Sequence, residues 1–219
     1  MINQEFRYVS LPNLGYILYK LDPRDLRPIN EAVNKVQSDF TQAIPGNKDL
    51  AGNIVHEYDL PDECTSYIEQ LLHPLAIAYL KQSTSTYLNT QNETDRFNLK
   101  LRSTWVNFQQ KHEFNPPHTH GGVLSFVIWL KVPFIAANEL NRTDRIPKDR
   151  NYAGCFEFQY TNTLGGISNI VLPVDKSWEG NMALFPSKMH HAVYPFYTSD
   201  DYRVTISGNF HHVNEGEVV

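Results

Sequence analysis

The segment FNPPHTHGGVLSFVIWLKVP, residues 114–133, places two histidines one residue apart at the mouth of a long apolar run. The run is rich in β-branched and aromatic residues, is preceded by Gly121–Gly122 and closed by Pro133, and reads as a buried strand. In extended backbone, residues i and i+2 share a face, so His118 and His120 point the same way. Two imidazoles on one face at a strand mouth make half of a metal site. On this pair alone, two solvated loop histidines after a Pro-Pro turn are an equally bland alternative.

Outward from that segment the texture stays β from about residue 98. NLKLRSTWVNFQQKHEF, VLSFVIWLKVPF, GCFEFQYTN, ISNIVLPVD, NMALFP, HAVYPFY and YRVTISGNFHHV are seven short runs broken by Gly, Pro, Asn and Asp. Upstream, residues 1–20 alternate enough for one or two short strands, and two helices follow. In LDPRDLRPINEAVNKVQSDF the apolar residues Leu26, Ile29, Val33 and Val36 recur at helical spacing. In DLPDECTSYIEQLLHPLAIAYLKQS a wide apolar stripe runs from Tyr67 to Leu80, with Asp62 or Thr65 as N-cap and His73 as a packed or solvated helix residue. Helices followed by seven strands predict an α+β chain whose C-terminal half is a sandwich or jelly roll. The expected organisation is a single domain over 1–219, with 1–97 as N-terminal support and 98–212 as the core. Residues 135–154 are polar and read as a long exposed loop that could act as a lid.

Composition narrows the function. The 219 residues are 41% hydrophobic and 20% charged, with 12 Tyr and 12 Phe, which suits a folded protein rich in β structure. A formal charge of −5 without a Lys/Arg run gives no footprint for nucleic acid. Cys64 and Cys155 are too few for a disulfide framework and lack zinc-knuckle spacing. With no signal-like N-terminus and no stretch of membrane-span length, a cytoplasmic protein is expected.

Two further stretches bear on the histidine pair. GNMALFPSKMHHAVYPF sets His190 and His191 at a loop-to-strand junction, and strand alternation lets only one of the two face inward. Twelve residues on, Arg203 lies in DYRVTISGNF with Thr205 on the same face. A guanidinium on an otherwise apolar strand is costly to bury without an anionic partner, and its planar fork pairs bidentately with a carboxylate. On its own, Arg203 reads as a surface strand residue. Trp105, Asn107, Gln109 and Trp129 neighbour the histidine strands, as core or as pocket wall. His211 and His212 close the last run as solvated strand-end residues.

The ordered set NPPHTH…LSFVIWLKVP, GNMALFPSKMHHAVYP and YRVTISGNF resembles the iron(II)- and 2-oxoglutarate-dependent oxygenases over residues 98–212, and LAGNIVHEYDLP is similar to segments of phage-encoded members. The resemblance implies a double-stranded β-helix (jelly roll) flanked by the N-terminal helices. In that fold a core strand carrying His118 lies beside one carrying His191. The resemblance further implies iron(II) bound by His118, His120 and His191, with His191 rather than His190 in register. It makes 2-oxoglutarate the co-substrate, its distal carboxylate held by Arg203 with Thr205. The family places a carboxylate at the second ligand position, where this chain has His120; Glu113 and Glu157 are the carboxylates that could stand in from outside the motif. Three histidines with an open position also suit zinc. The implied activity is that of a dioxygenase, probing a small-molecule, nucleotide or peptidyl prime substrate, in the host cytoplasm if phage-encoded. Two other readings use the same residues: a jelly-roll binding module with a structural metal or none, and a metal-dependent enzyme that does not use 2-oxoglutarate.

Overall fold

The computed structural model describes residues 14–46, 52–83, 98–142 and 151–213. In chain order the elements are β1 (Ile17–Lys20), α1 (Pro23–Ser38), β2 (Glu57–Asp59), α2 (Asp62–Gln82), β3 (Leu99–Gln109), β4 (Asn115–His118), β5 (Leu124–Lys131), α3 (Ala136–Leu140), β6 (Phe156–Thr161), β7 (Ile167–Leu172), β8 (Asn181–Pro186), β9 (His190–Val193) and β10 (Arg203–His212). They form a six-stranded sheet, β1-β8-β5-β10-β3-β2, and a four-stranded sheet, β4-β9-β6-β7, with every pairing antiparallel.

Side-chain alternation along the central strands explains how the layers stack. On β10, Val204, Ile206 and Phe210 join Val106 and Phe108 of β3 and Ile128 of β5 in one buried cluster with Ile29 and Val33 of α1 and Ile68, Leu72 and Leu80 of α2. The helices therefore cover one face of the large sheet, each through its apolar stripe. The other face turns Val127, Trp129, Ala183 and Phe185 toward Phe156 and Phe158 of the small sheet, which makes a second cluster between the sheets. Arg203, Thr205 and Ser207 of β10 and Trp105, Asn107 and Gln109 of β3 fall on this inner face, so a polar row is built into an otherwise apolar sandwich. The result is the expected helix-flanked jelly roll.

Several local expectations change. NPPH, which sequence left between a Pro-Pro turn and extended backbone, is strand β4; it lies at the edge of the small sheet, where prolines cost no ladder hydrogen bond. Helix α2 starts at N-cap Pro61 with no side-chain cap, because the Thr65 hydroxyl pairs instead with that of Thr104 on β3 at 2.7 Å. Of the exposed loop foreseen over 135–154, residues 136–140 are helical and Glu139 is fully buried, its carboxylate accepting from the backbone N–H groups of Tyr197 and Thr198; residues 143–150 lie outside the described ones. The first 13 residues, where a further short strand was expected, are outside them too. His211 and His212 are half-buried rather than solvated, and burial lowers the affinity of His211 for a proton. Cys64 and Cys155 are buried free thiols, each pushed up to about 11 by burial.

Candidate metal centre

Ladder register does most of the assembly. His118 on β4 lies directly opposite His191 on β9. Their rings are 4.2 Å apart, and the ring of His120, just past the end of β4, is 4.9 Å from the first and 5.0 Å from the second. The backbone N–H of His120 donates to Ser187 O at 2.8 Å, which ties this residue to the loop leading into β9. The next turn depends on Gly122. Its φ is +86°, and a Cβ there would sit 2.5 Å from Phe210 O, so only glycine lets the chain swing from His120 into β5.

The ring nitrogens are already assigned by their surroundings. Nδ1 of His118 lies 2.7 Å from Pro116 O, and Nδ1 of His191 lies 3.0 Å from Met189 O. A carbonyl only accepts, so both Nδ1 atoms donate and both Nε2 atoms keep a lone pair. His120 packs its ring edge against Trp105. The candidate ligand atoms of the three residues all lie within 4.8 Å of one another, a grouping that could hold a metal ion. Burial, reinforced by the neighbouring imidazoles, pushes His120 down to about 4 and His191 to about 3; burial also lowers His118. All three are neutral at physiological pH, the form that ligates a divalent metal. His191 is buried while His190 is exposed, as strand alternation requires.

No carboxylate joins this cluster among the described residues. Glu113 accepts from the backbone N–H groups of Val55 and Gln110, and so pins a loop. Glu157 faces away within β6, accepting from Gln159, Asn169 and the Tyr194 hydroxyl. Both are committed elsewhere.

Arg203 lines the same cavity and is 2% exposed. Its partners are neutral: Nε and Nη2 donate to Gln109 Oε1 at 2.9 and 2.6 Å, Nη1 to Gly154 O at 2.8 Å, and Nη2 also to Tyr194 O at 2.9 Å. Among the described residues Arg203 makes no ion pair with a protein side chain. Burial pulls the guanidinium down to about 10, and it stays a cation at neutral pH. Those four bonds engage four of its five N–H donors. Thr205, two residues along β10, takes a long contact from the Asn107 amide at 3.5 Å. Trp105, Asn107, Gln109 and Trp129 are pocket wall. Sequence reading missed Glu57, also in that wall; only the alternation of HEYD hinted at which side of a strand it would take.

Residues 103–209 match a family model described as "Putative 2OG-Fe(II) oxygenase". Residues 103–209 thus carry a 2OG-Fe(II) oxygenase domain. The oxygenase is accordingly an oxidoreductase of iron(II) and 2-oxoglutarate. Its fold is similar to that of a prolyl-4-hydroxylase from Pseudomonas putida, at 13% identity and a TM-score of 0.51, covering 92% of this chain and 94% of that one. The non-haem α-ketoglutarate-dependent epimerase SnoN of nogalamycin biosynthesis is similar at 12% identity and a TM-score of 0.58, covering 91% and 79%. An oxidoreductase of the 2OG-Fe(II) oxygenase family from Burkholderia pseudomallei is similar at 14% and 0.55, covering 91% and 86%. A comparison with curated protein sequences found no match. No helix among the oxygenase's described residues is long and apolar enough to cross a membrane.

Proposed function

We propose that the chain is a dioxygenase that hydroxylates a small-molecule or peptidyl substrate, with His118, His120 and His191 holding iron(II) and Arg203 with Thr205 holding the distal carboxylate of 2-oxoglutarate. The observation that carries this reading is the histidine cluster itself: three neutral imidazoles, two with Nδ1 tied to backbone carbonyls, converging in the cavity that Arg203 lines. The donor set fits the metal. Neutral nitrogen ligands suit iron(II). The buried guanidinium fits the co-substrate, since it brings a positive charge that forms no ion pair among the described residues.

Iron(II) with 2-oxoglutarate supplies an oxidant from dioxygen, and the balanced outcome is a C–H bond converted to C–OH while 2-oxoglutarate becomes succinate and carbon dioxide. The chain's own residues supply the setting. Pro116 O and Met189 O fix the ring planes of His118 and His191. Gln109 holds the Arg203 fork in one orientation through Nε and Nη2, so that ordering the co-substrate requires little rearrangement of the guanidinium. Trp105 and Trp129 form the dry side of the cavity and keep bulk water from the reacting centre. With His120 in place of the family's carboxylate, the ligand set carries no charge, and the site is one unit more positive than the usual facial triad.

The test is an anaerobic titration of iron(II) followed by 2-oxoglutarate, monitored for the weak visible charge-transfer band of the chelate. A saturable band in the wild type, absent from His191→Ala, is expected. A wild type that binds iron(II) yet develops no band with 2-oxoglutarate would rule out this function.

A further inference from the structure

The family match begins at residue 103, yet the cavity wall does not. Strand β2 adds itself to the edge of β3 and sets Glu57 directly across from Asn107, whose other neighbour in register, on β10, is Thr205. Glu57, Asn107 and Thr205 thus form a polar row across three strands, on the face that lines the histidine cavity. Asn107 is 6% exposed; its amide nitrogen reaches Thr205, while its Oδ1 is buried with no hydrogen-bond partner. On the adjacent strand Oε1 of Glu57 is buried and equally without a partner. Two buried acceptors side by side, with no donor between them, are a standing cost in a folded protein unless a ligand supplies the donors.

The sign of the charge narrows the ligand. Glu57 forms no ion pair among the described residues, and burial together with nearby Glu113 raises its carboxyl to about 7. Asp59, on the same face of β2, is raised by burial as well. A cationic donor would satisfy both oxygens and hold Glu57 ionised. An anion would be repelled at Glu57 and is drawn instead to the other end of the row, where Thr205 neighbours Arg203 on β10.

We propose that Glu57 and Asn107 are the selectivity pair for the prime substrate, and that this substrate presents an alkylammonium or guanidinium group to them. The proposal rests on the dioxygenase reading above and deepens it: the co-substrate's carboxylate and the substrate's cation are sorted to different parts of one cavity.

The test uses carbon-13 labelled glutamate side chains and n-butylammonium as probe, with n-butanol and butyrate as isosteric controls. It is run on the metal-free protein and on the protein loaded with zinc and 2-oxoglutarate. n-Butylammonium should shift the Glu57 carboxylate resonance saturably, the resonance being assigned by its loss in Glu57→Gln. The neutral and anionic controls should bind at least tenfold more weakly, and Glu57→Gln should weaken n-butylammonium binding at least tenfold. Equal binding of n-butanol, equal binding to Glu57→Gln, or no shift at Glu57 would overturn the proposal. Zinc and 2-oxoglutarate affinities are read in the same samples. Their loss with ammonium binding intact would sink the dioxygenase reading alone, and their retention with no ammonium binding would sink the selectivity pair alone.

Discussion

Each of the three histidines is held in the state that its burial dictates, and that state has a thermodynamic consequence. Their folded-state pKa values lie below the unfolded value of about 6.5. For a base that the fold keeps neutral, the contribution to stability is fully present above the unfolded pKa and is lost as pH falls toward the folded one. The window therefore runs from about 6.5 down to the values near 4 for His120 and near 3 for His191. Glu57 works oppositely, because its raised carboxyl favours folding below its unfolded pKa of about 4.3 and loses that advantage as pH rises through about 7. The clean measurement is a difference: melting temperature of metal-free wild type against His191→Leu between pH 7 and 4. The wild type should lose more on acidification; parallel curves would mean that His191 is protonated as easily folded as unfolded.

Arg203 shows where residue-level reading stops. Its burial was legible from an arginine on an apolar strand, but its neutral partners were not, because Gly154 O and Tyr194 O are set by tertiary path and carry no sequence signal. Replacing it with alanine strands the Gln109 carbonyl and two backbone carbonyls, and each buried orphan costs about 1–3 kcal/mol. Arg203→Lys is thus the better probe. It keeps the charge and loses the fork, and 2-oxoglutarate affinity in the iron-loaded protein should drop about tenfold, the worth of one charge-assisted hydrogen bond of about 1.5 kcal/mol. Unchanged affinity would assign Arg203 a purely structural role. The adjacent pair gives a sharper contrast: His190→Ala should leave metal affinity intact and His191→Ala should remove it, with the reverse result placing the register off by one.

At the scale of elements, both helices and the seven expected strand runs were legible because each is long enough to show its period. Strand β4 was not, since NPPH carries two residues that argue against a strand anywhere but at an edge. Yet β4 decides the site, because its pairing with β9 is what sets His118 opposite His191. The turn after it is equally decisive. Gly122→Ala would force a left-handed conformation on an L residue, at about 1–2 kcal/mol, and push its Cβ into Phe210 O. Reduced melting temperature together with weakened metal binding is expected, because His120 is two residues away. A stable variant with full metal affinity would show that the turn does not position His120. Strand β2 was invisible as a strand at three residues, which is why Glu57 escaped notice.

Across the whole molecule, one division of labour runs through both sheets. Helices α1 and α2 cover the outer face of the large sheet with an apolar layer, while its inner face carries the polar row that lines the cavity. Length, charge and strand count made this architecture legible, whereas the absence, among the described residues, of a carboxylate from the histidine cluster required coordinates: Glu113 and Glu157 were both candidates until their hydrogen bonds placed them elsewhere. Anomalous diffraction from crystals grown anaerobically with manganese(II) and 2-oxoglutarate tests the three-histidine site. One manganese peak bonded to His118, His120 and His191 is expected, with no protein carboxylate among its ligands. A peak bonded to Glu57 or any other carboxylate in place of His120, or no peak at the cluster, would contradict it.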